Sequence, residues 1–249
     1  MLIDLNADLG EGGAFDRELL ALVSSANISC GAHAGDHSTI TNAVSLAAKH
    51  QVRIGAHPSY PDRENFGRSA MQLPTEVLRQ HMLQQLRYLQ DLAAEHCAEL
   101  AHIKPHGALY NQLAQDRELS KAFVEIVQEF NPQLPVVGLA GGVFLTIAQK
   151  GGLTTISEVF ADRRYHNDGS LLARSEAEAV IEDANEAIAQ SLEVIRTGHI
   201  VSIEGHRIPV RADTLCVHGD SKIALSFAKN LHQCLQQEGV KIAACATKC

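Results

Sequence analysis

This 249-residue chain has no excess of basic residues, no apolar run long enough to cross a bilayer and no paired-cysteine motif. Its net charge is -8, and Lys and Arg are scattered rather than striped, which argues against nucleic acid and anionic membrane surfaces as partners. Without a spanning segment, and with neither a basic n-region nor a long apolar h-region after Met1, neither membrane insertion nor a secretory signal is expected. The six cysteines, Cys30, Cys97, Cys216, Cys234, Cys245 and Cys249, lack CxxC and zinc spacings and read as free thiols in a reducing cytosol. The chain therefore reads as cytoplasmic. Also missing are a GxxxxGK[ST] phosphate loop, a strand-linked GxGxxG and an HExxH element, so no nucleotide or metal motif is announced locally.

What is present is a rhythm. Seven short apolar runs each end in a compact polar signature: Asn6-Ala-Asp8, Asn27 to His33, Gly55-Ala-His57-Pro58, Lys104-Pro-His106-Gly107, Gly138 to Gly142, Phe160-Ala-Asp162-Arg163 and Cys216 to Asp220. Helix-period stripes fill most of the spaces between them, including Leu78 to Ala93, Leu119 to Phe130, Ala177 to Ile195 and Ala224 to Leu235. A parallel β/α barrel with its chemistry on the rim at the C-terminal strand ends produces this pattern. Seven strands, not eight, predict an incomplete or irregular barrel. Residues 1–249 read as one domain, with a β-hairpin around Glu204-Gly205 between residues 200 and 210. Pro58 to Pro74 and Arg163 to Ser175 are expected as loops over the rim.

Side chains alternate along a strand, so Asp4, Asn6 and Asp8 share a face opposite Ile3 and Leu5. By the same parity His102, Lys104 and His106 oppose Ile103, while Thr214, Cys216 and His218 oppose Leu215 and Val217. The polar sets are expected inside the barrel, a costly arrangement unless they pair or serve a site. His33, His57, His106 and His218 come from four strand ends and are candidate catalytic groups with Asp8 and Lys104. Lys104 is read as a point charge for a developing oxyanion or phosphate, with a structural bridge to the β1 carboxylates as the alternative. Asp36, Asp116 and Asp220 stand at expected helix starts, Asp36 and Asp220 being divided between capping and function. His37 reads as a bystander. Arginines on the rim loops, among them Arg63, Arg68, Arg163 and Arg174, suit a carboxylate or phosphate. Asp and His ligands from separate strands also suit zinc or a first-row divalent ion, but spacing gives no independent support and no residue is assigned as a ligand.

Asp4 to Glu11, Ser25 to Asp36, Gly55 to Pro58, Phe66-Gly-Arg68, Lys104 to Asn111, Phe160 to Arg163 and Cys216 to Asp220 together resemble the LamB/YcsF family from Met1 to about Val240. The resemblance implies a seven-stranded TIM-like barrel of the glycoside hydrolase/deacetylase type. It also implies the A component of an ATP-hydrolysing 5-oxoprolinase that cleaves 5-oxoproline to glutamate, with ATP and Mg2+ and with B and C partner subunits. The expected catalytic set is Asp8, His33, His57, Lys104, His106 and His218, and the expected substrate-binding set is Asp4, Asn6, Asn27, Arg68, Asp162, Arg163 and Asp220. Departures from the family pattern are Ala7, Ala32, Ser69 and the stretch Leu83 to Tyr88, none within the strand-end Asp, His and Lys set. The alternatives are a metal-dependent deacetylase on a related barrel and a non-catalytic binding or docking subunit.

Overall fold

The computed structural model describes residues 1–218 and 222–245. Among them the first half of the chain forms β1 (Leu2–Leu9), α1 (Asp16–Leu20), β2 (Ser25–Ser29), α2 (His37–Lys49), β3 (Arg53–His57), α3 (Thr75–Glu95), β4 (Leu100–Ile103), α4 (Gly107–Leu113) and α5 (Arg117–Phe130). The second half forms β5 (Val136–Leu139), α6 (Val143–Lys150), β6 (Thr155–Phe160), α7 (Ala184–Thr197), β7 (His199–Val201), β8 (Arg207–Pro209), β9 (Thr214–Val217), α8 (Lys222–Gln237) and β10 (Lys241–Ile242). Strands β1 to β6 pair in parallel in chain order, β9 joins β6, and β9 returns to β1. Seven strands therefore close the barrel completely, and the expected irregularity appears as a register shift between Ile54 and Gly55 where β3 meets β4. Strand β10 pairs with only Leu2 and Ile3 at the start of β1.

Alternation along the strands separates two environments. Ile3, Leu5, Ala7 and Leu9 of β1, Ala26 and Ile28 of β2, and Leu215 and Val217 of β9 face the helices and are buried. Helix α3 answers with Leu78, Met82, Leu86, Leu89 and Ala93, all buried on one stripe at helical spacing. Burying a side chain the size of Leu or Met contributes about 1.5–3 kcal/mol. The opposite faces of the same strands carry the polar residues into the lumen.

Capping sets where several helices start. Asp36 Oδ1 accepts from the Thr39 amide at 2.8 Å, and Asp116 Oδ1 accepts from the Glu118 and Leu119 amides at 2.9 and 3.0 Å. Asp220 lies outside the described residues. Helix α7 begins at Ala184 rather than Ala177, because Asp183 caps it and the preceding segment is held in the loop. There Val180 bridges to Arg163, and the Ile181 amide donates to the Asp162 carbonyl at 2.8 Å. Strands β7 and β8 pair antiparallel around Glu204-Gly205. The Gly138 to Gly142 segment is a tight strand-to-helix turn, with the Gly142 amide donating to Leu139 O at 2.9 Å. Cys30, Cys97, Cys216, Cys234 and Cys245 are free thiols. Among the described residues no helix is long and apolar enough to cross a membrane.

Candidate active site

The lumen is built in layers, and the lower ones are closed. Asp4 accepts from Ser24 Oγ at 2.6 Å and Ser25 Oγ at 2.7 Å on Oδ1, and from Thr214 Oγ1 at 2.5 Å on Oδ2. Burial pushes its pKa up against the pull of those hydroxyls. Asn6 donates to Thr214 Oγ1 at 2.7 Å and to Glu158 Oε1 at 3.0 Å, while Asn27 donates to Asn6 Oδ1 at 2.8 Å. His102 meets Asn27 Oδ1 at 2.7 Å, and burial depresses the pKa of its imidazole to about 3. Its ring occupies the space above Gly55, where a Cβ would fall 2.0 Å from His102 Nε2.

Above these layers lies a buried ion triad. Lys104 Nζ stands 2.9 Å from Asp8 Oδ1 and 2.8 Å from Glu158 Oε1, with Asn6 Oδ1 and Cys216 Sγ each at 3.4 Å. Burial alone disfavours the ammonium, but Asp8, the Cys216 sulfur and Glu158 together hold its pKa well above the usual lysine value. Burial likewise opposes ionisation of Asp8, yet His57 and Lys104 outweigh it and hold the carboxyl well below the usual range. Thus Lys104 is a bridge, paired with Asp8 and Glu158 rather than with Asp4, and its position fixes Asp8 at the floor of the site. Tyr110 lies beside Glu158, and burial with that carboxylate raises the phenol well above its ordinary value. By geometry neither Tyr110 Oη nor Glu158 Oε2 has a hydrogen-bond partner among the described residues.

On one side of Asp8 the ends of β1 to β4 bring four donors together. Glu11, His33, His57 and His106 each present one ligand-type atom there, all within 4.8 Å of one another. The rings of His33 and His106 stack at 3.8 Å, and Phe66 closes against both edge-on. Burial lowers the pKa values of His33 and His106 to about 3, so both imidazoles are neutral near pH 7. Burial also raises that of Glu11. The loop that supplies Phe66 is pressed into place by glycines. A Cβ at Gly67 would fall 2.4 Å from Ser59 Oγ and 2.9 Å from His33 Cβ, and one at Gly107 would fall 2.4 Å from Gly67 O.

Across the mouth stands a second assembly. His218 Nδ1–H donates to Asp162 Oδ2 at 2.7 Å, and Arg174 donates to His218 Nε2 at 2.9 Å. Burial alone would raise Asp162, but His218 and Arg174 bring its carboxyl below the usual value. Arg163 is turned into its own loop, bonding the carbonyls of Ala179 and Leu172. Burial lowers its pKa to about 10. Between the two assemblies is a cavity of about 350 Å³ lined by Asp8, His57, Lys104, His106 and His218, with Arg68, Arg163 and Arg174 from the two rim loops.

The candidates therefore sort by height. Asp8, His57, Lys104, His106, Asp162 and His218 meet at the rim, with His33 behind His106. Asp4 and Asn6 remain in the lower lumen, and Asn27 spans the two regions by donating to Asp8 Oδ1 at 2.8 Å. Arg68 stacks on Phe66 at 4.9 Å and reaches the cavity. Arg63 instead binds the carbonyls of Gly31 and Gly35, and exposed His37 pairs with Tyr88. Asp220 again lies outside the described residues. Sequence reasoning did not select Glu11, Glu158 or Tyr110. For Glu158 the signal was its even spacing with Phe160 on β6, and for Glu11 its place two residues beyond β1.

The model of the LamB/YcsF family matches residues 3–249. The A component of 5-oxoprolinase from Haemophilus influenzae (strain PittEE) is 48% identical over 242 residues, covering 97% of this chain and 99% of that protein. The crystal structure of the lactam utilization protein from Thermus thermophilus superposes with a TM-score of 0.90 at 41% identity, over 98% of this chain and 100% of that one. The T48 deacetylase shares the barrel fold alone, with a TM-score of 0.51 at 12% identity over 98% of this chain and 87% of its own. With the family model matching residues 3–249 and 48% identity over nearly its whole length, the chain belongs to the LamB/YcsF family.

Proposed function

We propose that this chain is the A component of an ATP-dependent 5-oxoprolinase, which opens 5-oxoproline to L-glutamate while ATP is hydrolysed to ADP and phosphate. The observation that carries the reading is the end-to-end 48% identity with a relative of that name. That relative is named as one subunit of its enzyme, which supports a multi-subunit assembly, and B and C subunits are the partners in this proposal. The cavity of about 350 Å³ is of a size that suits a small cyclic amide.

The chemistry asks for three things. A five-membered lactam is an unstrained amide, so its carbonyl carbon needs activation before water attacks. Phosphorylation of the lactam oxygen by ATP, with Mg2+, supplies that activation. Ring opening then needs a base for water and a proton for the departing nitrogen, and it leaves an acyl phosphate that a second water cleaves to glutamate and phosphate. His218, anchored through Nδ1–H on Asp162, can take a proton at Nε2 and pass it to the ring nitrogen once the substrate draws the Arg174 guanidinium off that nitrogen. Asp8, held by Lys104, faces the same cavity beside His57. Arg68 and Arg174 at the mouth suit the substrate carboxylate or the transferred phosphate.

The test is release of glutamate and phosphate from 5-oxoproline plus ATP, by this chain alone and mixed with its B and C partners. Turnover is expected only in the mixture and is lost with His218→Ala in this chain. A purely docking role predicts that His218→Ala still supports full turnover. No turnover with well-folded partners overturns the reading.

A further inference from the structure

Three donors at the ends of β1, β3 and β4, from Glu11, His57 and His106, have the spacing of a metal site. Tetrahedral donors about 2.0–2.1 Å from zinc stand about 3.3 Å apart. Here Glu11 Oε1 lies 3.4 Å from His106 Nδ1 and 3.8 Å from His57 Nε2. His57 Nε2 and His106 Nδ1 are 2.9 Å apart. These separations bracket the tetrahedral value, and the donors come from three different strand ends.

The far sides of two rings decide what their near sides offer. His57 Nδ1 is 2.7 Å from the Lys104 carbonyl, and His106 Nε2 is 2.9 Å from the Phe66 carbonyl. A carbonyl only accepts, so each of those nitrogens carries the hydrogen and donates it. When both rings are neutral, the opposite nitrogens, His57 Nε2 and His106 Nδ1, are then bare lone pairs. They face each other across a hydrogen-bond distance with no hydrogen of their own to share. Only a positive centre reconciles that contact, either an added proton or a cation. Backbone carbonyls behind the rings are the outer partners that orient metal-bound histidines. The Glu11 carboxylate within reach of both rings supplies the matching negative charge.

We propose that Glu11, His57 and His106 bind one divalent first-row cation, for which zinc with one further, exogenous ligand matches the donor set, while His33 stacks behind His106. Asp8 Oδ2, 3.3 Å from His57 Nε2, borders the site, and His57 and His106 also line the cavity. The cation therefore lies in the cavity wall, within reach of a ligand there. The inference stands on these donors and does not depend on the lactam reading.

The experiment is metal loading of the full chain. After chelation and exchange into metal-free buffer, the protein is titrated with Zn2+ and separately with Co2+, followed by calorimetry and by the visible spectrum of Co2+. The expected result is one equivalent per chain, with the intense visible bands of four-coordinate cobalt. His57→Ala and His106→Ala should each weaken binding by more than the about 10–100-fold that loss of an outer partner costs. Glu11→Gln, which keeps the side-chain shape, provides the same test should either alanine variant fail to fold. Absence of stoichiometric uptake by the folded wild-type chain overturns the proposal and leaves a shared proton between the two histidines. Uptake that is unchanged in folded variants overturns it too, by placing the metal elsewhere. Because the readout is uptake by this chain alone, failure of the 5-oxoprolinase assay leaves the result intact.

Discussion

The two halves of the barrel lumen are both polar and both buried, yet they are finished differently. In the lower half Asp4, Ser25, Thr214, Asn6 and Asn27 satisfy one another through hydroxyls and amides. In the upper half satisfaction is incomplete: His33 Nδ1, Tyr110 Oη, Glu158 Oε2 and Asp162 Oδ1 are buried without a hydrogen-bond partner. Native interiors rarely leave such groups unpaired. Buried polarity alone thus marks only an unusual barrel interior, whereas incomplete satisfaction marks the half prepared for something from outside.

The strongest challenge to that contrast is Lys104→Met, because Lys104 is the seam between the halves. Its loss leaves Asp8 and Glu158 uncompensated in a dry interior, and unfolding in urea should show a loss of about 3–5 kcal/mol. A loss below about 1 kcal/mol would mean that the triad does not organise the lumen. Asp162→Asn comes next. It removes the group that fixes the His218 tautomer and should lower turnover of the assembled enzyme about 100-fold or more while the melting temperature stays nearly unchanged. A large stability loss with unaltered turnover would make that assembly part of the scaffold.

Acid should act on both halves. Burial is the largest cause holding the folded pKa values of His33, His102 and His106 at about 3, against an ordinary value of 6.5. The unfolded chain then binds more protons between those limits, so stability is complete above about pH 6.5 and drains as pH falls toward 3. Each imidazole contributes up to about 1.4 kcal/mol per pH unit, or about 2 kcal/mol by pH 5. Melting curves from pH 7 to 5 in chelator should show the decline, and His102→Gln should remove one share of the slope. The smallest effect is expected for Thr214→Val, about 1–2 kcal/mol from an unpaired Asp4 oxygen, with turnover per folded molecule preserved. Reduced turnover at full folding would extend the active region down into the lower lumen.

Much of this arrangement was legible from residue order. Period-two polarity at Asp4, Asn6 and Asp8, and again at Thr214, Cys216 and His218, follows directly from strand geometry and located the lumen. Height within the lumen was less legible. Asp4 and Asp8 look alike by parity, and only the neighbouring strands, Ser25 and Thr214 against Lys104 and His57, separate scaffold from site. Glu11 escaped because parity ends with the strand: Gly10, at φ 72, turns the chain and swings Glu11 back over the rim. Glu158 escaped because the other residues sharing its face of β6, Ile156 and Phe160, are apolar. The start of α7 was misplaced because Ile181 keeps helical spacing although its amide is bound to Asp162 O.

The glycine contact between Gly67 and Gly107 bears on how such a pocket can be altered. With Gly67 against Ser59 and His33, and Gly107 against the Gly67 carbonyl, the Phe66 side of the mouth has no slack for even a methyl group. Leu171, Ala173 and Ser175, on the opposite margin, line the same cavity without that constraint. An effort to admit a larger or differently substituted ring should therefore diversify residues 171–175 and treat 59–68 as cast in one piece with the histidines. Substitutions in the first segment would re-tailor the pocket, while those in the second would dismantle its anvil.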